Sequence, residues 1–306
     1  MNKKVLITGA SGFIGSKLLE KFKREEYDVI GWDRNDTNIN GILVKKVDMS
    51  TKDSIVAALL KCNPDIVIHC AGSADVGKSV ANPEMDYEGN VTLTHNLLFA
   101  IHKCGLEKKR FVFLSSAGVY GNPTSLPITE DMPVNPHSPY ALHKVMCEDM
   151  CCYFKNNYVA DIKIARIFSA YGAGLRKQIF WDMHNKAINT GRLDMFGTGN
   201  ESRDYIHVRD VVQALFLIAT TDSVEMVFNV ANGEEITIRQ ATQWFAEIVD
   251  IDKEKISFNG YAREGDPINW RADNSKIKQL GYKKSVDMIE GLQDYIEWVR
   301  GIRNVW

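Results

Sequence analysis

Val5-Leu6-Ile7-Thr8-Gly9-Ala10-Ser11-Gly12-Phe13-Ile14-Gly15 passes from a short apolar run through three glycines into a segment with helical periodicity. A strand that turns into a helix over glycines brings bare backbone close to a ligand. The uncovered N–H groups at the start of the helix then favour the charge of a pyrophosphate. The spacing is GxxGxxG rather than GxGxxG, which still puts glycine at the turn and where the helix meets the sheet. A glycine-rich turn without a ligand is the plainer alternative. Its position at the first strand-to-helix junction favours a dinucleotide, with Gly9, Gly12, Phe13, Ile14 and Gly15 as the candidate contacts.

Working outward from this loop, apolar runs recur at 5–7, 29–31, 66–69, 111–114 and 162–167. Between them lie segments with apolar residues at helical spacing, 15–26, 54–61, 91–104 and 140–157. This alternation predicts an α/β protein built on a Rossmann-type doubly wound parallel sheet, covered by helices on both faces. After about Phe168 the regularity gives way to short strands (193–196, 227–230), helices (210–219, 238–249, 287–298) and loops. The chain therefore divides into a dinucleotide-binding domain over 1–168, with parts of 207–232, and a smaller mixed α/β substrate lobe over 169–306.

A chain of 306 residues with 45% hydrophobic residues can bury a large core. A formal charge of −2 supplies no basic field, so neither nucleic acid nor an anionic membrane is expected as a partner. The opening Met1-Asn2-Lys3-Lys4 and apolar run imitate a signal peptide only until Thr8, and the apolar stretch 211–219 is too short to cross a bilayer. Cys62, Cys70, Cys104, Cys147, Cys151 and Cys152 form no CxxC pair and read as reduced thiols of a cytoplasmic protein. Cys147 and Cys151 are four residues apart on one helix, but no His or acid stands at ligand spacing, so no metal is expected. His69 reads as a core histidine, and Trp181 and Trp306 as exposed.

Asp33 ends the second apolar run, where a carboxylate can accept hydrogen bonds from an adenosine ribose and repel a 2′-phosphate. That favours NAD. Arg34 follows directly and is able to hold such a phosphate, which leaves NADP open. Asp48, followed by Met49, either reaches the adenine end or is an exposed turn aspartate. Ser115-Ser116-Ala117-Gly118-Val119-Tyr120-Gly121 closes the run at 111–114, at the sheet edge where open α/β folds bind ligands. After a Pro-rich loop, Tyr140 opens a helix and Lys144 lies one turn on, on the same face. An ammonium beside a phenol favours the phenolate, and lowering a tyrosine pKa by about three units takes roughly 4 kcal/mol. Ser116, Tyr140 and Lys144 thus suit hydride transfer. Tyr140 removes a hydroxyl proton, Ser116 hydrogen-bonds the same oxygen, and Lys144 keeps Tyr140 acidic and binds ribose.

These segments, with Ala71-Gly72 through Asn90, resemble over nearly the whole chain the extended short-chain dehydrogenase/reductases that modify nucleotide sugars. The likeness continues in Arg166-Ile167-Phe168-Ser169-Ala170-Tyr171-Gly172, similar to RxFNxYG, and in Ser202-Arg203-Asp204-Tyr205-Ile206-His207-Val208, similar to TRDYIHV. Arg263-Glu264-Gly265-Asp266-Pro267 resembles an RxGD segment. The resemblance implies NAD as cofactor, with Ala71, Gly72, Asn90 and Lys144 among its contacts and Asn90 near the nicotinamide half. It implies a nucleotide-diphosphate sugar as substrate, with Arg203 and Arg263 on the diphosphate, Phe196 against the base, and Ser116 and Ser169 as further contacts. It also implies a homodimer through helices 90–104 and 140–157, where Met146, Met150 and Tyr153 serve either interface or core.

The departures from the family pattern narrow the chemistry. Members that eliminate water carry acids just after the catalytic hydroxyl, where this chain has Ala117 and Gly118. Ser169 replaces the usual asparagine. Compared with galactose epimerases, Ala74 replaces a lysine near the cofactor, so the sugar is not inherited from them. The expected activity is an NAD-dependent nucleotide-sugar epimerase, acting at C4 through a transient 4-keto sugar. The alternative is an NAD(P)H-dependent reductase of a nucleotide-linked 4-keto-6-deoxy sugar, and a non-catalytic dinucleotide-binding protein is a third reading.

Overall fold

A computed structural model describes residues 2–158, 160–261 and 267–303. In chain order the first seven strands are β1 (Lys4–Thr8), β2 (Asp28–Asp33), β3 (Thr37–Ile39), β4 (Ile42–Lys46), β5 (Ile66–His69), β6 (Arg110–Ser116) and β7 (Asp161–Ile167). There follow β8 (Ser169–Tyr171), β9 (Leu193–Met195), β10 (Ser202–Arg203), β11 (Tyr205–His207), β12 (Val227–Val230), β13 (Ile236–Thr237) and β14 (Ile256–Phe258). One eight-stranded sheet runs β12-β7-β6-β5-β1-β2-β4-β3. All its pairings are parallel except that of β3 with β4. This is the predicted α/β sheet. Its central strands are buried on both sides, hence the unbroken apolar runs, whereas β4 alternates between buried and exposed and gives no run.

The helices are α1 (Phe13–Arg24), α2 (Lys52–Cys62), α3 (Val76–Ala81), α4 (Pro83–Tyr87), α5 (Leu93–Lys103) and α6 (Pro139–Tyr158). In the second half come α7 (Gln178–Thr190), α8 (Val208–Thr220), α9 (Ile238–Val249), α10 (Ser275–Gln279) and α11 (Met288–Arg303). Leu18, Leu19 and Phe22 of α1, with Val211, Leu215 and Ile218 of α8, cover one face of the sheet. The other face is covered by Ile55 and Leu59 of α2, Leu97 and Ile101 of α5, and Cys147 and Cys151 of α6. Each such fully buried aliphatic side chain contributes about 1.5–3 kcal/mol. All six cysteines are free thiols.

α8 and β12 lie on the large sheet although they come late in the chain, because β12 pairs with β7. A separate core joins Phe180 of α7, Phe245 of α9, and Leu292 and Tyr295 of α11. Trp181, expected to be exposed, is half-buried on the rim of that core with its ring 5.8 Å from that of His184. Trp306 lies outside the described residues. No described helix is long and apolar enough to cross a membrane. β1 has β2 on one side and β5 on the other, so the C-terminal ends of β1 and β5 flank the crevice where the strand order reverses.

Candidate active site

Gly9 has φ +63°, and a Cβ there would stand 2.7 Å from the backbone nitrogen of Ala71, just past β5. A side chain on Gly15 would collide with the Gly9 carbonyl. Glycine is therefore required at both ends of the loop, one for a left-handed turn and one for close packing. Gly12 is the N-cap of α1 and offers no side chain to its first N–H groups, so Phe13, Ile14 and Gly15 present backbone donors to the crevice. Such a cradle fits a dinucleotide pyrophosphate.

At the end of β2, Asp33 accepts from the Ser11 N–H at 2.9 Å, the Ser11 hydroxyl at 2.6 Å and the Arg34 N–H at 2.7 Å. Burial works to raise this carboxyl, but those hydrogen bonds and the Arg34 charge outweigh it and hold the pKa below the usual value. Asp33 is a firm anion with lone pairs to spare for a ribose. Asp48 is exposed and accepts from the Ser50 hydroxyl and N–H at 2.6 and 2.9 Å, a turn that satisfies it locally. The Met49 side chain is buried in the core, leaving its backbone as the part able to meet a ligand.

Gly72, Asn90 and Lys144 meet beyond β5. A Cβ on Gly72 would lie 2.8 Å from Asn90 Oδ1 and 3.7 Å from Lys144 Nζ. Asn90 sits in a π-helical turn, Glu88–Thr92, which periodicity does not reveal and which such sites often contain. Its Nδ2 donates to the Asp86 carbonyl at 3.1 Å, while its buried Oδ1 has no hydrogen-bond partner. An unsatisfied buried acceptor beside Gly72 and Lys144 also fits a polar ligand at this edge.

The α6 backbone is fastened at its start by Tyr140 N–H donating to Ser79 Oγ at 3.1 Å. The Tyr140 phenol, on that first turn, is hydrogen-bonded by Ser116 at the end of β6. Ser116 Oγ also accepts from the Gly118 N–H at 3.1 Å, capping a single 3₁₀ turn, Ala117–Tyr120. Contrary to the sequence expectation, the Tyr140 pKa is pushed up to about 12. Burial dominates, Asp86 and Cys147 add to it, and Ser116 opposes it. Lys144 does not offset the burial. Its ammonium donates to the Leu114 carbonyl at 3.1 Å and stands 5.9 Å from the centre of the Tyr140 ring. Burial lowers the Lys144 pKa, and Cys147, Asp86, Cys70 and Glu148 draw it back up.

Ser116 and Tyr140 line a cleft with Val76, Gly118, Gly121, Asn122, His137, Ser138, Pro267 and Trp270. None of these described residues is an acid. His137 and Trp270 escaped the sequence reading. His137 Nδ1 and Nε2 lie 3.3 and 3.1 Å from the side-chain nitrogens of Asn122 and Asn135. Trp270 Nε1 donates to the Gly121 carbonyl at 3.0 Å. The closeness of His137 to Tyr140, three positions along the chain, was a local signal for the first. Nothing short-range points to the second.

Arg203, Ser169 and Phe196 do not line this cleft. Arg203 reaches its wall, with its guanidinium 5.9 Å from the Trp270 ring centre. Ser169 opens β8 and its N–H donates to the Asp204 carbonyl at 3.0 Å. Phe196 is largely exposed, with Lys186 Nζ 5.6 Å from its ring centre. Arg263 lies outside the described residues. His69 is a core residue, hydrogen-bonded to Thr8 and Thr94 at 2.8 and 3.2 Å. The described residues contain no group of three or more His, Cys, Asp or Glu able to hold a metal ion.

The model of the NAD dependent epimerase/dehydratase family matches residues 5–231. The UDP-glucose 4-epimerase of Mycolicibacterium smegmatis is 32% identical over 315 residues, covering 97% of this chain and 98% of that protein. Among solved structures, a UDP-glucose 4-epimerase of Thermotoga maritima with UDP-glucose is 27% identical, with a TM-score of 0.89 over 98% of this chain and 99% of the other. A UDP-glucose 4-epimerase of Thermus thermophilus in complex with NAD is 26% identical, with a TM-score of 0.87 over 97% and 99%.

Proposed function

The chain belongs to the NAD-dependent epimerase/dehydratase family, and on that premise we propose that it is an NAD-dependent nucleotide-sugar epimerase, acting at C4 of a UDP-sugar. The observation that carries this reading is the cleft that Ser116 and Tyr140 line together and that no described acid lines. One proton carrier suits oxidation and reduction at a single carbon. Elimination needs a second.

When bound, NAD supplies the acceptor, and later the donor, of the sugar C4 hydrogen. Gly9, Gly12, Phe13, Ile14 and Gly15 would hold its pyrophosphate and Asp33 its adenosine ribose. Gly72, Asn90 and Lys144 would flank its nicotinamide half. Tyr140 takes the proton from the C4 hydroxyl and returns it, and Ser116 steadies the same oxygen by hydrogen bonding. Arg203 and Arg263 are assigned to the sugar-nucleotide diphosphate, Phe196 to the base and Ser169 to the sugar side.

The test is turnover of purified protein with UDP-glucose or UDP-galactose and no added cofactor. Interconversion supports the assignment. Strict consumption of one NAD(P)H per product would replace it with a 4-keto sugar reductase.

We further assign a homodimer and a cytoplasmic location. The dimer would form through α5 and α6, where Leu142 and Tyr153 are exposed and Met146 and Met150 half-buried. Tyr153→Asp should convert it to monomer in sedimentation. Six cysteines with no disulfide among them suit that compartment.

A further inference from the structure

We propose that Lys177 is a clamp on the pyrophosphate of NAD, reaching it from the opposite side of the crevice to the glycine loop. The proposal rests on the reading that the loop holds NAD. Lys177 belongs to the segment between β8 and α7, and its ammonium donates to the Ala74 carbonyl at 2.8 Å, across 103 residues of sequence. The same segment touches the other bank of the crevice. A Cβ on Gly174 would lie 3.4 Å from Cδ2 of Phe13, the residue that opens α1 directly after Gly12. The stretch from Gly174 to Lys177 therefore bridges from the glycine loop after β1 to the loop after β5, over the place where the cradle receives a pyrophosphate.

The bridge is an arch of unusual backbone. Gly172, Gly174 and Gln178 have φ of +133°, +107° and +67°. The left-handed conformation is strained for a glutamine and is retained where the surroundings demand it. The charge balance points the same way. Among the described residues Lys177 has no carboxylate at ion-pair distance, and one hydrogen bond leaves two of its three N–H groups to give. The charges it feels are Asp75 in its favour, and Lys78 and Lys144 against. Asp75 is already engaged, capping α3 through the Lys78 N–H at 3.0 Å and pairing with the Lys78 ammonium at 3.8 Å. Cations gathered with so little to balance them at the mouth of an anion cradle are stabilised by an anion between them. Ala74 itself brings no charge to this loop, and Lys177 supplies one from a distant part of the chain.

Equilibrium titration of full-length protein freed of nucleotide decides the matter, with NAD, ADP-ribose and adenosine as probes. Lys177→Met should weaken NAD and ADP-ribose alike by about tenfold to a hundredfold, the loss of one charge-assisted hydrogen bond. It should leave adenosine unchanged and flatten the salt dependence of NAD binding. Lys177→Arg should restore most of the affinity. Unchanged NAD and ADP-ribose affinity in Lys177→Met overturns the clamp, whether or not the apo protein melts earlier, because a mere tie between two loops affects melting alone. Weaker UDP binding with NAD intact also overturns it. Wild-type protein that bound no NAD would sink the epimerase reading along with the clamp, so the two failures are distinct.

Discussion

Tyr140 meets opposing demands. As the proposed base at C4 it must be a phenolate, yet burial, Asp86 and Cys147 hold this phenol at about 12. Lys144, spent on the Leu114 carbonyl, does not correct this in the free chain. When bound, NAD would supply the missing favourable charge through its positive nicotinamide. In an ultraviolet difference titration of wild type against Tyr140→Phe, the nucleotide-free protein should therefore show no Tyr140 phenolate below about pH 10, and added NAD should bring the signal to lower pH. A phenolate near neutrality in free protein would contradict this. Tyr140→Phe itself should slow epimerisation by about 10²- to 10⁴-fold, the usual contribution of a general base, while NAD affinity stays within a few-fold. Asp86→Asn removes a negative charge that raises the phenol while keeping an acceptor for His143, 2.7 Å away. The rising limb of its pH–rate profile should move to lower pH, and a shift the other way would show that Asp86 acts chiefly through Lys144.

At the scale of the elements, α6 carries Tyr140 and Lys144, the side chains proposed for catalysis, and it is bolted down a little further along. Glu148, one turn beyond Lys144, accepts from Arg166 Nη2 at 2.7 Å and Nε at 3.0 Å on β7, and from the Ser115 hydroxyl at 2.5 Å on β6. Arg166 also reaches the Tyr120 hydroxyl at 2.9 Å, tying in the turn that Ser116 caps. Glu148→Ala leaves a buried guanidinium without its counter-charge and should reduce the unfolding free energy by about 3–5 kcal/mol in urea. A loss under 1 kcal/mol would mean that water replaces the carboxylate. None of this was visible in the sequence, where Glu148 is one more charge on an amphipathic helix and its partners lie far along the chain. The sheet was legible because buried parallel strands are written as apolar runs. The glycine loop was legible because its chemistry is local. The π turn around Asn90 was not, since a single widened turn interrupts the helical period too briefly to be read from apolar spacing. α7 was missed too. It begins at Gln178 in a left-handed conformation after an uncapped Lys177, so no start signal announces it.

At the scale of the whole molecule, acid should loosen the fold through two buried histidines. His69 closes β5 and is hydrogen-bonded to Thr94, and burial, aided by Lys144, lowers its pKa to about 3. His207 caps α8, and burial, with Arg209 and Lys17, lowers its pKa to about 4. Both fall below the unfolded value near 6.5, so each contributes stability that is complete above pH 6.5 and is lost as the pH falls and the unfolded chain takes up a proton. Asp204 works in the opposite sense. It accepts from the N–H groups of Asn232, Gly233 and Ala272, but burial outweighs them and raises its pKa to about 7. The folded chain thus takes up that proton first, and stability from this group is gained as the pH falls from 7 towards 4. Two protons favour the unfolded chain and one the folded, a net of one between about pH 6.5 and 4. These three groups together contribute a slope of roughly 1.4 kcal/mol of stability lost per pH unit. Urea unfolding at pH 7, 6 and 5 measures it. His69→Gln keeps a side chain able to bond Thr8 and Thr94 and cannot take up a proton, so in that variant the loss from His207 and the gain from Asp204 should nearly cancel. The variant should start less stable at pH 7 and then hold level to about pH 5, where the remaining carboxylates begin to titrate. Parallel slopes in the two proteins would mean that water reaches His69 and that the centre of the sheet is less closed than its packing implies.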